Sequence, residues 1–195
     1  MKCPLFLLFL LGMMLLPPMY LPAQSTNRHF FEDGITRRLF KCRLELAGQP
    51  ISGVLLVKQL GDFSYRAVYT AETGFTFFDV GMADDATVFH VAVGPFKKKI
   101  IQRAIAQALQ SALLRPMKIS FEKEVQSTVN YTGLRYVLKT DYSDAFPVRV
   151  DLFKGKRLQS SADFYFTHSR KQVPDSIYVP RTGFPLTMSF RLLNQ

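Results

Sequence analysis

"GPFKKKIIQRAIAQALQSALLRP", from Gly94 to Pro116, is the one long stretch of helical periodicity in a chain that otherwise alternates residue by residue. Ile101, Ala104, Ile105, Ala108, Leu109, Ala112 and Leu113 recur at the spacing of a single helix face and form a continuous apolar stripe. Gln102, Gln107, Gln110 and Ser111 fall off that stripe, so the pattern predicts a helix packed on one face and near water on the other. The alanines in the stripe permit close approach to bulky neighbours, and Pro116 ends the helix. Lys97, Lys98 and Lys99 occupy the positive end of the helix dipole, where each exposed cation costs about 0.3 kcal/mol or more. Two readings of this run stay open: a tolerated solvated charge run, or an end that faces an anionic surface.

On both sides of the helix the period is two. "LFKCRLEL" sets Phe40, Cys42, Leu44 and Leu46 against Lys41, Arg43 and Glu45, and "ISGVLLVKQL" follows a Gly48-Gln49-Pro50 turn. "SYRAVYT", "FTFFDVGM" and "TVFHVAV" continue the meander, with turns at Ala71 to Gly74 and Ala83 to Ala86. Beyond the helix come "MKISFEKE", "YTGLRYVLKT", "VRVDLF", "SADFYFT", "DSIYVP" and "PLTMSFRLL". The expectation is a mainly β (α+β) chain of about eleven antiparallel strands with one long helix. A sheet of that many strands must curl strongly or close. Its apolar face is rich in phenylalanine, which suits a filled sandwich core as well as a curved sheet around an apolar cavity.

The first residues read as a targeting segment. Lys2 gives a short positive start, Leu5 to Leu16 is an apolar run too short to span a bilayer, and Pro17, Pro18 and Pro22 break it. Residues 1–23 are therefore expected to be a secretory signal cleaved after Ala23, with an uncleaved anchor as the other reading. Residues 24–195 then form one domain. Cys3 lies upstream of the apolar run, so it is not placed to carry a lipid anchor, and the mature chain is expected to be exported to the periplasm or cell envelope without one. The one remaining cysteine, Cys42, cannot form an internal disulfide and alternates with buried positions, as a small core residue does.

The net charge of +10 favours anionic lipid headgroups, acidic partners or nucleic acid, and export makes nucleic acid the least suitable of these. No nucleophile elbow, phosphate loop or dinucleotide fingerprint is present. His29, His90 and His168 are far apart, and none has a second His or a Cys at metal spacing. Asp79, Asp141, Asp144 and Asp151 could do acid/base work only if folding paired them. No catalytic residue, metal or cofactor is expected, and the chain is read as a binding protein.

The order of elements, and above all the closing run "VPDSIYVPRTGFPLTMSFRLL", resembles the bacterial lipoprotein-localisation carriers of the LolA/LolB-like fold. Pro174, Ile177 and Val179 lead through a turn to an alternating terminal strand at Leu186, Met188, Phe190 and Leu192. The resemblance is one of pattern, covers most of residues 24–195, and transfers no binding residue. It implies a strongly curved antiparallel sheet or half-barrel, with the helix from Lys97 to Leu114 packed on its concave face as a lid. It also implies an acyl chain, lipid or acylated protein bound beneath that lid. Those carriers have more than one lid helix, so a smaller cavity or a filled core stays open here. By side-chain type and alternation, the candidate ligand contacts are Phe77, Phe89, Ile101, Ile105, Leu109, Tyr136 and Phe164, with Lys97, Lys98 and Lys99 toward a headgroup or an anionic membrane surface. The rival reading is a ligand-free envelope module that docks an outer-membrane protein.

Overall fold

The computed structural model describes residues 36–61, 64–83, 86–113, 121–125, 128–132, 137–143, 146–166, 173–181 and 183–193. The chain opens at the middle of its sheet. Strand β1 (Arg37–Leu46) turns through Ala47 and Gly48 into β2 (Gln49–Gly61), and the meander continues outward as β3 (Ser64–Thr70), β4 (Thr76–Ala83) and β5 (Ala86–Ala92). Ala47 and Gly48 both have positive φ, 51° and 83°, the backbone of a tight two-residue hairpin whose twist matches that of its strands. The expected Gly48-Gln49-Pro50 turn is thus one residue earlier, and Gln49 and Pro50 already pair as strand.

From β5 a short 3-10 helix (Gly94–Lys97) leads into helix α1 (Lys99–Ala112), and the chain reappears at the opposite edge of the sheet. There β6 (Phe121–Val125), β7 (Thr128–Thr132), β8 (Val137–Ser143), β9 (Phe146–Lys154), β10 (Arg157–Tyr165), β11 (Ser176–Val179) and β12 (Leu186–Leu192) walk back to the centre. The result is one twelve-stranded antiparallel sheet in the order β5-β4-β3-β2-β1-β12-β11-β10-β9-β8-β7-β6. The twelfth strand arises because "YTGLRYVLKT" is not one strand: β7 ends at Thr132, β8 begins at Val137, and the two pair with each other.

The sheet is open and strongly curved, with α1 on its concave face. Register shifts interrupt the ladders β2–β3, β3–β4, β4–β5, β8–β9 and β9–β10, and such bulges bend strands and increase their twist. Laid flat, twelve strands would be about 53 Å wide. A helix of fourteen residues is only about 21 Å long, so it covers the inner face of a curled sheet and not of a flat one.

The two halves of the chain meet where β12 pairs with β1, setting Phe190 opposite Cys42, Met188 opposite Leu44 and Leu186 opposite Leu46. All six are buried, with Cys42, Leu44 and Met188 wholly so. Leu55, Val57, Ala67, Tyr69, Phe78 and Val80 extend the same core across β2 to β4, and Val150, Leu152, Ala162 and Phe164 extend it across β9 and β10. Alternation therefore predicts the inward face correctly, as the buried Cys42 illustrates; burial pushes its thiol well above the ordinary cysteine range.

Candidate functional site: a cleft between the helix and strands β10 to β12

The crossover is held at its start by an aromatic plug. Phe96, in the 3-10 turn, is fully buried, with ring centroids 5.7 Å from Phe77 and 5.6 Å from Phe78 of β4. Tyr69 of β3 stacks beside both, at 5.4 and 5.3 Å, and Phe89 of β5 meets Phe78 at 6.1 Å. The Tyr69 hydroxyl donates to the Ile51 carbonyl at 2.8 Å, so the polar end of the cluster is satisfied. Phe96 thus ties the start of the crossover to one half of the sheet.

The helix itself lies on the other half, against β10, with β9, β11 and β12 alongside. Its apolar stripe behaves as the periodicity requires: Ile105, Leu109 and Ala112 are wholly buried and Ile101 nearly so. Gln110 and Ser111 correct the expectation of a wet outer face, because both are buried. Ser111 Oγ meets Ser160 Oγ of β10 at 2.8 Å, and one turn earlier Gln107 Nε2 donates to Gln159 Oε1 at 3.1 Å. The C-terminal half of α1 is therefore enclosed, while Lys99 and Ile100 at its start are exposed.

Lys97, Lys98 and Lys99 are all exposed at that first turn; Lys98 is the N-cap residue, with no side-chain capping bond and no acidic residue in the first turn. Among the described residues none of the three forms an ion pair. Ile100, beside them, is 59% exposed, an uncommon position for a large aliphatic side chain.

Alongside the exposed edge of α1 runs a cleft of about 320 Å³, at the small end of the range for ligand pockets. Its helix wall is Ile100, Arg103, Ala104, Gln107 and Ala108, and its sheet wall runs from Arg157 to Ser160. Val179, Phe184 and Leu186 close the far side. The lining is mixed, part aliphatic and part amide or guanidinium, and among the described residues it contains no carboxylate.

The candidate contacts chosen from sequence take several positions. Ile101, Ile105 and Leu109, on the buried face of the helix, and Phe164 of β10 belong to one core cluster. Phe77 and Phe89 are partly buried against that core from the β4–β5 side. Tyr136 lies outside the described residues, as do residues 1–23 and His29 and His168. The cleft is lined instead by residues that sequence reasoning did not select, chiefly Arg103, Arg157, Gln159 and Leu158. Only the register of α1 on β10 brings them together, and no local pattern encodes that register.

Asp144 lies outside the described residues, and Asp79 and Asp151 are each held by an arginine. Arg66 Nε and Nη2 donate to the two oxygens of Asp79 at 2.9 and 2.6 Å, and this pairing, more than a smaller contribution from His90, holds the Asp79 carboxyl below its usual range. Arg149 engages Asp151 at 3.1 Å and Asp163 at 3.4 Å. His90 is an exposed residue of β5. Among the described residues there is no group of three His, Cys, Asp or Glu side chains placed to hold a metal, and no helix long and apolar enough to cross a membrane.

No protein-family model and no curated protein matches the sequence. Solved structures do match its fold. A LolA superfamily protein from Nitrosomonas europaea superposes with a TM-score of 0.53 at 10% identity, over 86% of this chain and 88% of that one. A domain described as an outer membrane lipoprotein-sorting protein, from Vibrio parahaemolyticus, gives 0.45 at 8% identity over 82% and 83% of the two chains. A DUF1329 family protein from Desulfovibrio piger gives 0.39 at 8% identity over 82% and 84%. With its open, curled antiparallel sheet and one helix across the hollow, the chain has a LolA-like fold.

Proposed function

We propose that this protein is an exported carrier of the cell envelope, which holds an acyl chain of a lipid or acylated protein between its curved sheet and helix α1. The observation that supports this reading is the cleft of about 320 Å³ along α1, on the concave side of a LolA-like sheet. Burying a methylene contributes about 0.8 kcal/mol, so even a short chain lying along Ala104, Leu158 and Leu186 binds usefully. Ile101, Ile105 and Leu109 form the buried face of the helix and Phe164 lies on β10, with Phe77 and Phe89 on the β4–β5 side, and these facing surfaces become the cavity walls when the helix lifts. Lys97, Lys98 and Lys99 then meet the headgroup or an anionic membrane surface at the exposed end of α1.

The test is native mass spectrometry of the protein purified from the envelope of its own host, followed by organic extraction. A stoichiometric lipid or acyl adduct supports the carrier. A clean apoprotein mass, retained after incubation with phospholipids and acylated peptides, rejects it. Replacing Lys97, Lys98 and Lys99 together by Ser tests the surface role: binding to anionic vesicles is expected to weaken with thermal stability unchanged, and unchanged binding removes that role.

A second reading rests on a different observation, the complete burial of Ile105 and Leu109, which leaves the interior under the helix filled. On this reading the chain is a ligand-free envelope module that docks an outer-membrane protein, and it predicts the clean mass together with stable co-purification of a partner.

A further inference from the structure

Helix α1 runs parallel to β10: Ser111 meets Ser160, Gln107 meets Gln159, and toward the start of both elements Arg103 and Arg157 line the same cleft. Gln159 Nε2 turns back to donate to the Arg157 carbonyl at 3.1 Å, which anchors the amide bridge beside that arginine. Arg103 and Arg157 therefore stand on facing walls of one cleft, on the same side of the Gln107–Gln159 bridge. Both are exposed, and among the described residues neither forms an ion pair. Two arginines elsewhere on the sheet are paired, Arg66 with Asp79 and Arg149 with Asp151 and Asp163.

The neighbourhood reinforces this charge. Lys154 precedes and Lys156 lies in the turn that leads into Arg157, and Lys99 begins the helix one turn before Arg103. Deeper in the same cleft the lining changes to Ala104, Ala108, Leu158, Val179 and Leu186. The exposed rim of the cleft thus offers two planar guanidinium forks, which suit a phosphate or carboxylate, and its buried floor offers aliphatic surface.

We infer that this cleft is a selective site for a single-chain amphiphile with an anionic head: the head sits between Arg103 and Arg157, and the chain runs along Leu158 and Leu186. This inference rests on the proposal that the protein binds an acyl chain, and adds to it a headgroup charge, a chain number and two recognising residues. A volume near 320 Å³ is nearer the size of one chain than of a bulky multi-acyl anchor.

The experiment compares lysophosphatidylglycerol with lysophosphatidylcholine of the same chain length, below their micellar concentrations, by calorimetry on the full mature chain. The expected result is about tenfold tighter binding of the anionic lipid, a preference that falls within about twofold in the Arg103→Gln/Arg157→Gln variant and survives in Arg103→Lys/Arg157→Lys. Thermal melts check that both variants are folded, which their exposed positions favour. Equal binding of the two lipids by the unaltered protein overturns the headgroup assignment while the acyl-chain reading stands. Failure of both lipids to bind overturns that reading and this inference together. Inorganic phosphate that binds as tightly as the lysolipid overturns the amphiphile assignment, because the site then recognises a free oxyanion.

Discussion

The hydroxyl oxygens of Ser111 on the helix and Ser160 on β10 lie 2.8 Å apart, both in the dry interior beneath the crossover. Ser111 Oγ also lies 3.0 Å from the Ala108 carbonyl, so Ser111 donates to its own helix and accepts from Ser160. The two residues are then unequal. Ser111→Ala removes the one acceptor of the buried Ser160 hydroxyl among the described residues and is expected to cost about 1–3 kcal/mol, whereas Ser160→Ala leaves Ser111 on its carbonyl and costs about 0.5–1.5 kcal/mol. The double variant should cost less than the sum of the singles. Urea denaturation of the four proteins measures this, and strictly additive, equal effects would show that the pair carries no hydrogen bond.

Phe96 has a different task, since it fixes only the start of the crossover. Phe96→Ala empties a site enclosed by Phe77 and Phe78 and is expected to cost about 3–5 kcal/mol. The loss should be local first. Amide exchange should accelerate in the turn around Lys98 to Gln102 while Ala108 to Ala112, buried on β10, stays protected. Uniform acceleration along the helix would mean that Phe96 and the β10 contacts form one cooperative unit.

Acid stability provides a third test, through Asp79. Its carboxyl is held below the usual range chiefly by the Arg66 guanidinium, so protonation is harder in the folded state than in the unfolded one. For a depressed folded pKa the stabilisation is complete above the unfolded value, about 3.9, and is lost as pH falls through the folded value. The Asp79→Asn variant should therefore lose less stability than the unaltered protein on going from about pH 5 to about pH 2. Identical acid limbs for the two proteins would show that the Arg66–Asp79 pair persists equally in the unfolded chain.

What was legible in the sequence follows from how far each signal reaches along the chain. Alternation is local, so it identifies the inward residues of β1, β11 and β12 without any knowledge of their partners. The helix stripe is local too, and Ile105 and Leu109 are buried as it requires. Sheet order is not local: β1 pairs with β12 across almost the whole described chain, and nothing in Cys42 or Phe190 encodes the other. The same limit hides the burial of Gln110 and Ser111, whose positions off the apolar stripe point toward water. Ser111 is buried because Ser160 matches it, and that match depends on the register of α1 against β10. The cleft is a product of that register as well, which is why Arg103 and Arg157 carried no signal as separate residues.

Backbone packing on the β2–β3 ladder makes the last prediction. A methyl group built on Gly53 of β2 would run into the Thr70 carbonyl oxygen and would lie 3.0 Å from the ring of Tyr69. Neither neighbour can yield: the carbonyl is backbone of β3, and the Tyr69 ring is pinned by its hydroxyl on the Ile51 carbonyl. Gly53→Ala must therefore push two strands apart and is expected to cost about 1–3 kcal/mol, despite the entropic gain that alanine usually brings. Gly81 of β4 makes the comparison, because its added methyl would meet the Nε2 atom of His90 at 3.0 Å. That ring belongs to an exposed side chain and can rotate away, so Gly81→Ala should change stability by no more than about 0.5 kcal/mol. Chemical denaturation of the two variants tests the ordering: a Gly81→Ala protein less stable than Gly53→Ala would place the tight approach on the β4–β5 ladder instead.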